Sequence, residues 1–155
     1  MQDDIQYMSE EKLAELKNEL ADLKNEKSPQ LRKRIDEARQ MGDLSENAEY
    51  HQAREDLAWA LSRINEIQAI MGNAEIITAS GSNNTVSLGN LIKVEDKNGK
   101  EKEFTIVGAQ EANPLIGKIS NESPLGNALL GRKKGDKIEI STPGGIQVYK
   151  ILKIS

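Results

Sequence analysis

"GDLSENAEYH", residues 42 to 51, interrupts sequence that favours helix on both sides of it. It holds a glycine, three carboxylates (Asp43, Glu46, Glu49) and no basic residue, so it reads as a connection between two helices. The fold then depends on what those helices bury.

Upstream, Leu13, Leu16, Leu20 and Leu23 follow 3-4-3 spacing with Glu and Lys between them, which predicts an amphipathic helix starting near Ser9. Ser9 is followed three residues later by Lys12 rather than Glu, which is half a capping box. The pattern slips by one at Lys27 and resumes with Leu31, Ile35 and Ala38. "SPQL" (28–31) lies at the slip. Pro29 lacks an N–H and clashes with the preceding turn, at roughly 3 kcal/mol in a helix interior, which predicts a kink or short break. Downstream, Tyr50, Ala53, Leu57, Ala60, Ile64, Ile67 and Met71 keep one seam without a miss. Trp59, between seam positions, is expected against the partner helix. Neither stripe can be buried alone, so two helices joined by a short connection at 42–45 lie antiparallel. At 1.5 Å per residue, an arm of about 25 to 30 residues reaches on the order of 40 Å, with the quoted motif at its end.

Gly72-Asn73 closes the second helix, and the pattern changes to strands. "EIITAS", "NLIKVED", "KEFTIVG", "KIEIST" and "IQVYKILKI" are β-branched and partly alternating. "KNGK" (97–100) and "TPGG" (142–145) are tight-turn signals. Ser123-Pro124 ahead of "LGNALLG" supplies an N-cap, a first-turn proline and a closing Gly131, hence one short helix. "SGSNNT" (80–85) reads as a surface loop. The fold class is therefore α+β: an N-terminal antiparallel coiled-coil hairpin over 1–73 and a small α+β domain over 74–155.

The composition narrows the function. There is no cysteine, hence no disulfide, thiolate zinc site or cysteine nucleophile. The acidic start "MQDDIQYMSEEK" lacks the form of a signal peptide and no stretch approaches a membrane span, so a cytoplasmic location is expected. Residues 1–73 carry 10 Lys and Arg against 16 Asp and Glu, a balance of −6, and residues 74–155 carry 11 against 9, a balance of +2. An acidic first half is unlike a free-standing DNA-binding module, so contact with nucleic acid is expected to be local.

The quoted stretch admits two readings. Asp43-x-x-Glu46 has capping-box spacing, and both charges favour the positive end of the next helix. Ser45 competes as N-cap, and if it caps, Asp43 and Glu46 point outward. Two carboxylates cannot by themselves hold Mg²⁺, which takes six oxygens, but they can complete another protein's two-metal site. Arg39 and Arg54 flank the motif, and at helical spacing they read as ordinary surface pairing. Arg32, Lys33 and Arg34 read as a solvated basic face. His51, the one histidine, reads as structural or exposed. No histidine lies beyond it, which excludes a Ser/His/Asp set in the second half. With only Phe104 and Tyr149 there, an aromatic-lined pocket is hard to build, and this half reads as a docking module.

"ARQMGDLSENAEYHQARED" (38–56) closely resembles the tip of the bacterial Gre transcript-cleavage factors, and "NESPLGNALLGRKKGD" with "STPGG" resembles their C-terminal domain. The resemblance spans nearly the whole chain in order. It implies an antiparallel coiled coil that enters the secondary channel of RNA polymerase and an FKBP-like C-terminal domain that docks on the rim outside. It implies that Asp43 and Glu46 help bind a second Mg²⁺ shared with the polymerase active site, promoting hydrolysis of backtracked RNA by the polymerase. This chain would then be a monomeric cofactor of an enzyme rather than an enzyme, meeting the nascent RNA 3′ end and template DNA only within the elongation complex. Arg39 and Arg54 match basic positions that contact the RNA 3′ end, and Ser123, Pro124 and Leu125 match the loop that faces the polymerase. The acidic arm favours the A type over the B type, whose arm is broadly basic. Asn127 stands where the family often carries a basic residue, which bears on docking through that loop. Three rivals remain: an FKBP-like isomerase or chaperone, an anti-cleavage relative that blocks the channel, and a coiled-coil scaffold in which the tip only caps a helix.

Overall fold

The computed structural model describes residues 4–78 and 84–155. The expected loop "SGSNNT" lies mostly outside the described residues. The chain divides into two compact units, one over Leu13–Ala74 and the other combining the segment through Lys12 with Glu75–Ser155.

In the first unit, α1 (Glu10–Asp22) passes through a π-helical turn at Leu23–Lys27 into α2 (Ser28–Arg39), and α3 (Ala48–Gly72) packs back against α2. Cross-helix ion pairs fix the direction. Arg34 reaches Glu49 and Asp56, 15 and 22 residues away, while Arg63 reaches Glu19, 44 residues away. Sequence separation that grows away from the 42–45 connection is the signature of an antiparallel hairpin.

The break predicted at Pro29 is not formed. Asp22, Lys27 and Ser28 all have right-handed helical φ and ψ, and the Ser28 N–H donates to the Leu23 carbonyl, five residues back. The π turn adds one residue to the helix, which is the same residue by which the leucine pattern slips. Buried Leu23 and Ile35 are consequently twelve residues apart, one more than three α-turns, and stay on one seam. Pro29, which has no N–H to give, sits in the first turn of α2 directly after the π turn. On α3 the seam runs through Tyr50, Ala53, Ala60, Ile64 and Ile67 as expected, but ends on buried Ile70 rather than Met71. Trp59 is 61% exposed, contrary to its expected packing against the partner helix. It lies one position before Ala60, about 100° from the seam, too far to turn inward.

In the second unit, β3 (Leu91–Asp96), β4 (Glu101–Val107), β5 (Lys118–Ser120), β6 (Lys137–Thr142) and β7 (Gly145–Ile154) form one sheet in the order β5-β4-β3-β7-β6. All neighbours are antiparallel except β4 and β5, which run parallel. Alternation puts Ile92 and Val94 of β3 and Ile138 and Ile140 of β6 inward, and Leu129 of α4 (Pro124–Leu129) packs with them. Fully burying each such side chain is worth roughly 1.5–3 kcal/mol. A bulge between Lys93 and Val94 shifts the β3–β7 register.

A separate two-stranded sheet joins β1 (Gln6–Met8) to β2 (Ala74–Ile76). Tyr7 passes so close to Gly108 that a Cβ there would stand 1.5 Å from the Tyr7 carbonyl oxygen, so only glycine fits. Ser9 caps α1 as expected, its Oγ accepting from the Lys12 N–H at 3.1 Å. The missing half of the capping box comes from Glu111, whose carboxylate accepts from the Ser9 N–H at 2.9 Å and from Ser9 Oγ at 2.5 Å.

Candidate functional site

The tip is built by the way the chain leaves α2 and enters α3. The Met41 N–H still donates to Ala38, after which Gly42 takes φ 139°, a region side-chain-bearing residues rarely adopt. Nothing lies within 4 Å of where its Cβ would stand, so the requirement is conformational rather than steric. The chain re-enters helix at Asn47, whose Oδ1 accepts from the Tyr50 N–H at 3.0 Å while its Nδ2 donates to the Ala38 carbonyl at 2.6 Å. One amide caps α3 and ties it to the end of α2. Neither Asp43 nor Ser45 is the N-cap, and the Asp43–Glu46 capping box does not form, because helical backbone begins too late for either to reach the α3 amides.

The three carboxylates of the motif therefore have different environments. Glu49 is bound by Arg34 Nε at 2.8 Å, and Arg34 also holds Asp56 at 3.2 Å. One member of the 32–34 basic cluster is thus a cross-helix clamp. Asp43 Oδ1 accepts from the Ser45 N–H and from Ser45 Oγ, each at 3.0 Å, closing an Asx turn. These bonds, the backbone one foremost, hold its carboxyl below the usual aspartate value. Glu46 is exposed and has no hydrogen-bond or ion-pair partner among the described residues. Asp43 and Glu46 line one shallow concavity with Met41, Gly42, Asn47 and Ala48. Glu49 does not line it.

Arg39 and Arg54 converge, which sequence spacing alone did not suggest. Their guanidinium carbons lie 5.8 Å and 5.6 Å from the centre of the Tyr50 ring. Arg39 also approaches Asp36 at 3.9 Å, a loose surface pair. Tyr50 is buried in a cluster with Ile35, Ala38 and Ala53, and His51 meets its ring edge-on at 5.5 Å.

In the second unit, Ser123 caps α4 as the sequence predicted: its Oγ accepts from the Gly126 N–H and donates to the Ser120 carbonyl at 2.6 Å. Pro124 and Asn127 are exposed, whereas Leu125 packs partly against the sheet core. Phe104 and Tyr149 meet edge-to-face at 6.1 Å against the same core rather than lining an open pocket.

The family described as "Transcription elongation factor, N-terminal" matches residues 6–76, and that described as "Transcription elongation factor, GreA/GreB, C-term" matches residues 81–155. The chain belongs to the GreA/GreB family of transcription elongation factors. A relative named transcription elongation factor GreA from Halalkalibacterium halodurans is 47% identical over 96% of this chain and 95% of its own. The GreA of Bacillus subtilis is 42% identical over 96% and 95%. The chain is thus a Gre factor of the GreA type. Among solved structures, GreA factor homolog 1 of Thermus thermophilus is 27% identical and aligns over 97% of this chain and 99% of its own, with a TM-score of 0.45.

Three residues of this Gre factor's tip were not singled out from sequence. Asn47 had a legible signal, since asparagine is among the best N-caps, but Asp43 and Ser45 offered equal ones nearby. Arg34 was read only as part of a basic cluster, because its partners Glu49 and Asp56 lie on the other helix. Tyr50 was read only as a seam residue. Among the described residues, no group of three or more acidic or histidine side chains converges as a metal site. Among the described residues, no helix is long and apolar enough to cross a membrane.

Proposed function

We infer that this Gre factor binds RNA polymerase, inserts its tip into the secondary channel and stimulates endonucleolytic cleavage of the backtracked RNA 3′ end, rescuing arrested elongation complexes. The observation that carries this reading is the sorting of the tip carboxylates. Asn47 performs the capping and Arg34 occupies Glu49, so Asp43 and Glu46 share an exposed concavity with no structural duty that needs both. That division also weighs against a scaffold in which the tip only caps.

The donor set fits Mg²⁺, a hard cation that takes carboxylate oxygens and commonly shares its remaining positions with water and phosphate. Asp43 and Glu46 would supply two of the ligands, and the polymerase the others. When bound, the ion would activate a water and stabilise the charge of phosphodiester hydrolysis. Asp43 arrives already ionised and held in one orientation by Ser45, while Glu46 stays free to adjust. Arg39 and Arg54 supply positive charge for the RNA 3′ end. The polymerase remains the enzyme, and this chain acts as a monomeric, cytoplasmic cofactor that meets RNA and template DNA only through the elongation complex.

The second unit is the docking module. Its five-stranded sheet with one short helix supports an FKBP-like reading, and exposed Pro124 beside Ser123, which caps that helix, would form the polymerase-facing loop.

The test is cleavage of RNA in stalled, backtracked elongation complexes. Asp43→Asn and Glu46→Gln are expected to leave folding and polymerase binding intact and to abolish stimulation. If the double variant still stimulates cleavage at low Mg²⁺, the shared-ion reading fails.

A further inference from the structure

Arg39 ends α2 and Arg54 lies one turn into α3 from Tyr50, yet both guanidinium groups stand over the ring of that one tyrosine. The negative face of an aromatic ring attracts cations within about 6 Å, so the ring offers each arginine a preferred place. Tyr50 itself has little freedom, because it is buried between Ile35, Ala38 and Ala53 and its own N–H is bound by Asn47. A long arginine side chain on a helix surface otherwise samples many rotamers, and ordering it at the moment of binding costs affinity.

We propose that Tyr50 is a positioning residue that holds Arg39 and Arg54 together, presenting two guanidinium groups from different helices as one preorganised site for the phosphates at an RNA 3′ end. The ring acts on both arginines. The acidity of the phenol agrees: the neighbouring Arg39 foremost, with the charge of Arg54 contributing, holds it below the ordinary tyrosine value. The proposal rests on the cleavage reading for its function, but the restraint of the arginines is a property of the free protein and is measurable without polymerase.

The experiment has two arms. In the free full-length protein, nitrogen relaxation of the arginine side-chain Nε–H groups compares Arg39 and Arg54 with exposed Arg32. Both are expected to be more restrained than Arg32, to become as mobile as Arg32 in Tyr50→Leu, and to stay restrained in Tyr50→Phe, which keeps the ring. Phenylalanine keeps the ring and the packing, so it remains informative even where leucine loosens the hairpin. In backtracked elongation complexes, Tyr50→Leu is expected to lower the maximal cleavage rate about tenfold with less than about a twofold change in the half-saturating concentration. In that background, Arg39→Ala should cost less than about twofold more, because partners in one network are not additive.

Unchanged arginine mobility in Tyr50→Leu, or loss of restraint in Tyr50→Phe, overturns the proposal whatever the cleavage assay gives. Additive losses, or a change in half-saturating concentration alone, also overturn it, since they describe a structural or docking role. If Asp43→Asn in the same assay still stimulates fully, the failure lies with the shared-ion reading instead.

Discussion

The side-chain amide of Asn47 donates to the carbonyl of Ala38 at 2.6 Å, across the mouth of the hairpin. Its other end caps α3, so one residue satisfies an orphan N–H at the start of α3 and gives the Ala38 carbonyl, which already accepts from the Met41 N–H, a second donor. Asn47→Ala removes both bonds and is expected to destabilise the hairpin by roughly 1–2 kcal/mol, the usual cost of a lost N-cap. Asn47→Asp keeps the acceptor and loses the donor, so it should fall between. Chemical denaturation followed by helical circular dichroism measures all three proteins. Equal stability of the aspartate and alanine variants would show that only the bond to Ala38 matters.

Ser45 gives Asp43 two hydrogen bonds to a single oxygen, and these stabilise the ionised form. The sign follows directly: a carboxyl whose folded value is depressed contributes stability above its unfolded value, near 3.9, and loses it as pH falls through the folded value. A carbonyl-carbon NMR titration should therefore place the Asp43 midpoint below that of an ordinary aspartate. Ser45→Ala removes the hydroxyl bond and keeps the backbone bond, the larger cause, so the midpoint should rise only part of the way. A full return to the ordinary value would mean that the hydroxyl organises the whole turn.

Ser28 is buried at 2% exposure within the arm, and its Oγ has no hydrogen-bond partner among the described residues. A buried hydroxyl without a partner is a net cost, and alanine is also the better helix former. Ser28→Ala is expected to raise stability by up to about 1 kcal/mol in thermal or chemical denaturation. Deleting Asn25 together with Pro29→Ala should convert the π turn to ordinary helix and keep the seam, whereas deleting Asn18 should rotate the leucines on one side of the cut by about 100° and unfold the arm. Comparable losses from both deletions would contradict the view that the π turn is one inserted residue.

What the sequence disclosed follows the range of the forces involved. The seam of α3 as far as Ile67, the Asn98-Gly99 hairpin and the Ser123 cap are local patterns, and each appears where the residues put it. The slip at Lys27 was also legible, but Pro29 made a break look cheaper than a π turn. The three-residue strands Gln6–Met8 and Lys118–Ser120 carried no local signal, since each is a strand only because a distant segment supplies its partner. At the tip, the residue types were plain and their assignments were not. Asp43, Ser45 and Asn47 are all good caps within five positions, and only the place where the backbone turns helical selects Asn47. Arg34 and Tyr50 act across the hairpin, which no single helix pattern records.

Glu111, from a distant part of the chain, completes the start of α1. Lys12 occupies the position from which a capping-box glutamate would reach back to Ser9, and Glu111 accepts from the Ser9 N–H and hydroxyl in its place. Hydrogen bonds to a charged acceptor are worth roughly 1.5–3 kcal/mol each when part-buried, so Glu111→Ala should release the first turn of α1 while leaving the sheet intact. Amide hydrogen exchange is the direct measure: Ser9 should lose protection, while Ile92, Ile106 and Ile151 in the sheet core should not. Lys12→Glu in the Glu111→Ala background should restore part of the protection by supplying the local cap that the sequence lacks. Protection at Ser9 that survives Glu111→Ala would mean that pairing of Gln6–Met8 with Ala74–Ile76, rather than the carboxylate, holds the entry to the helix.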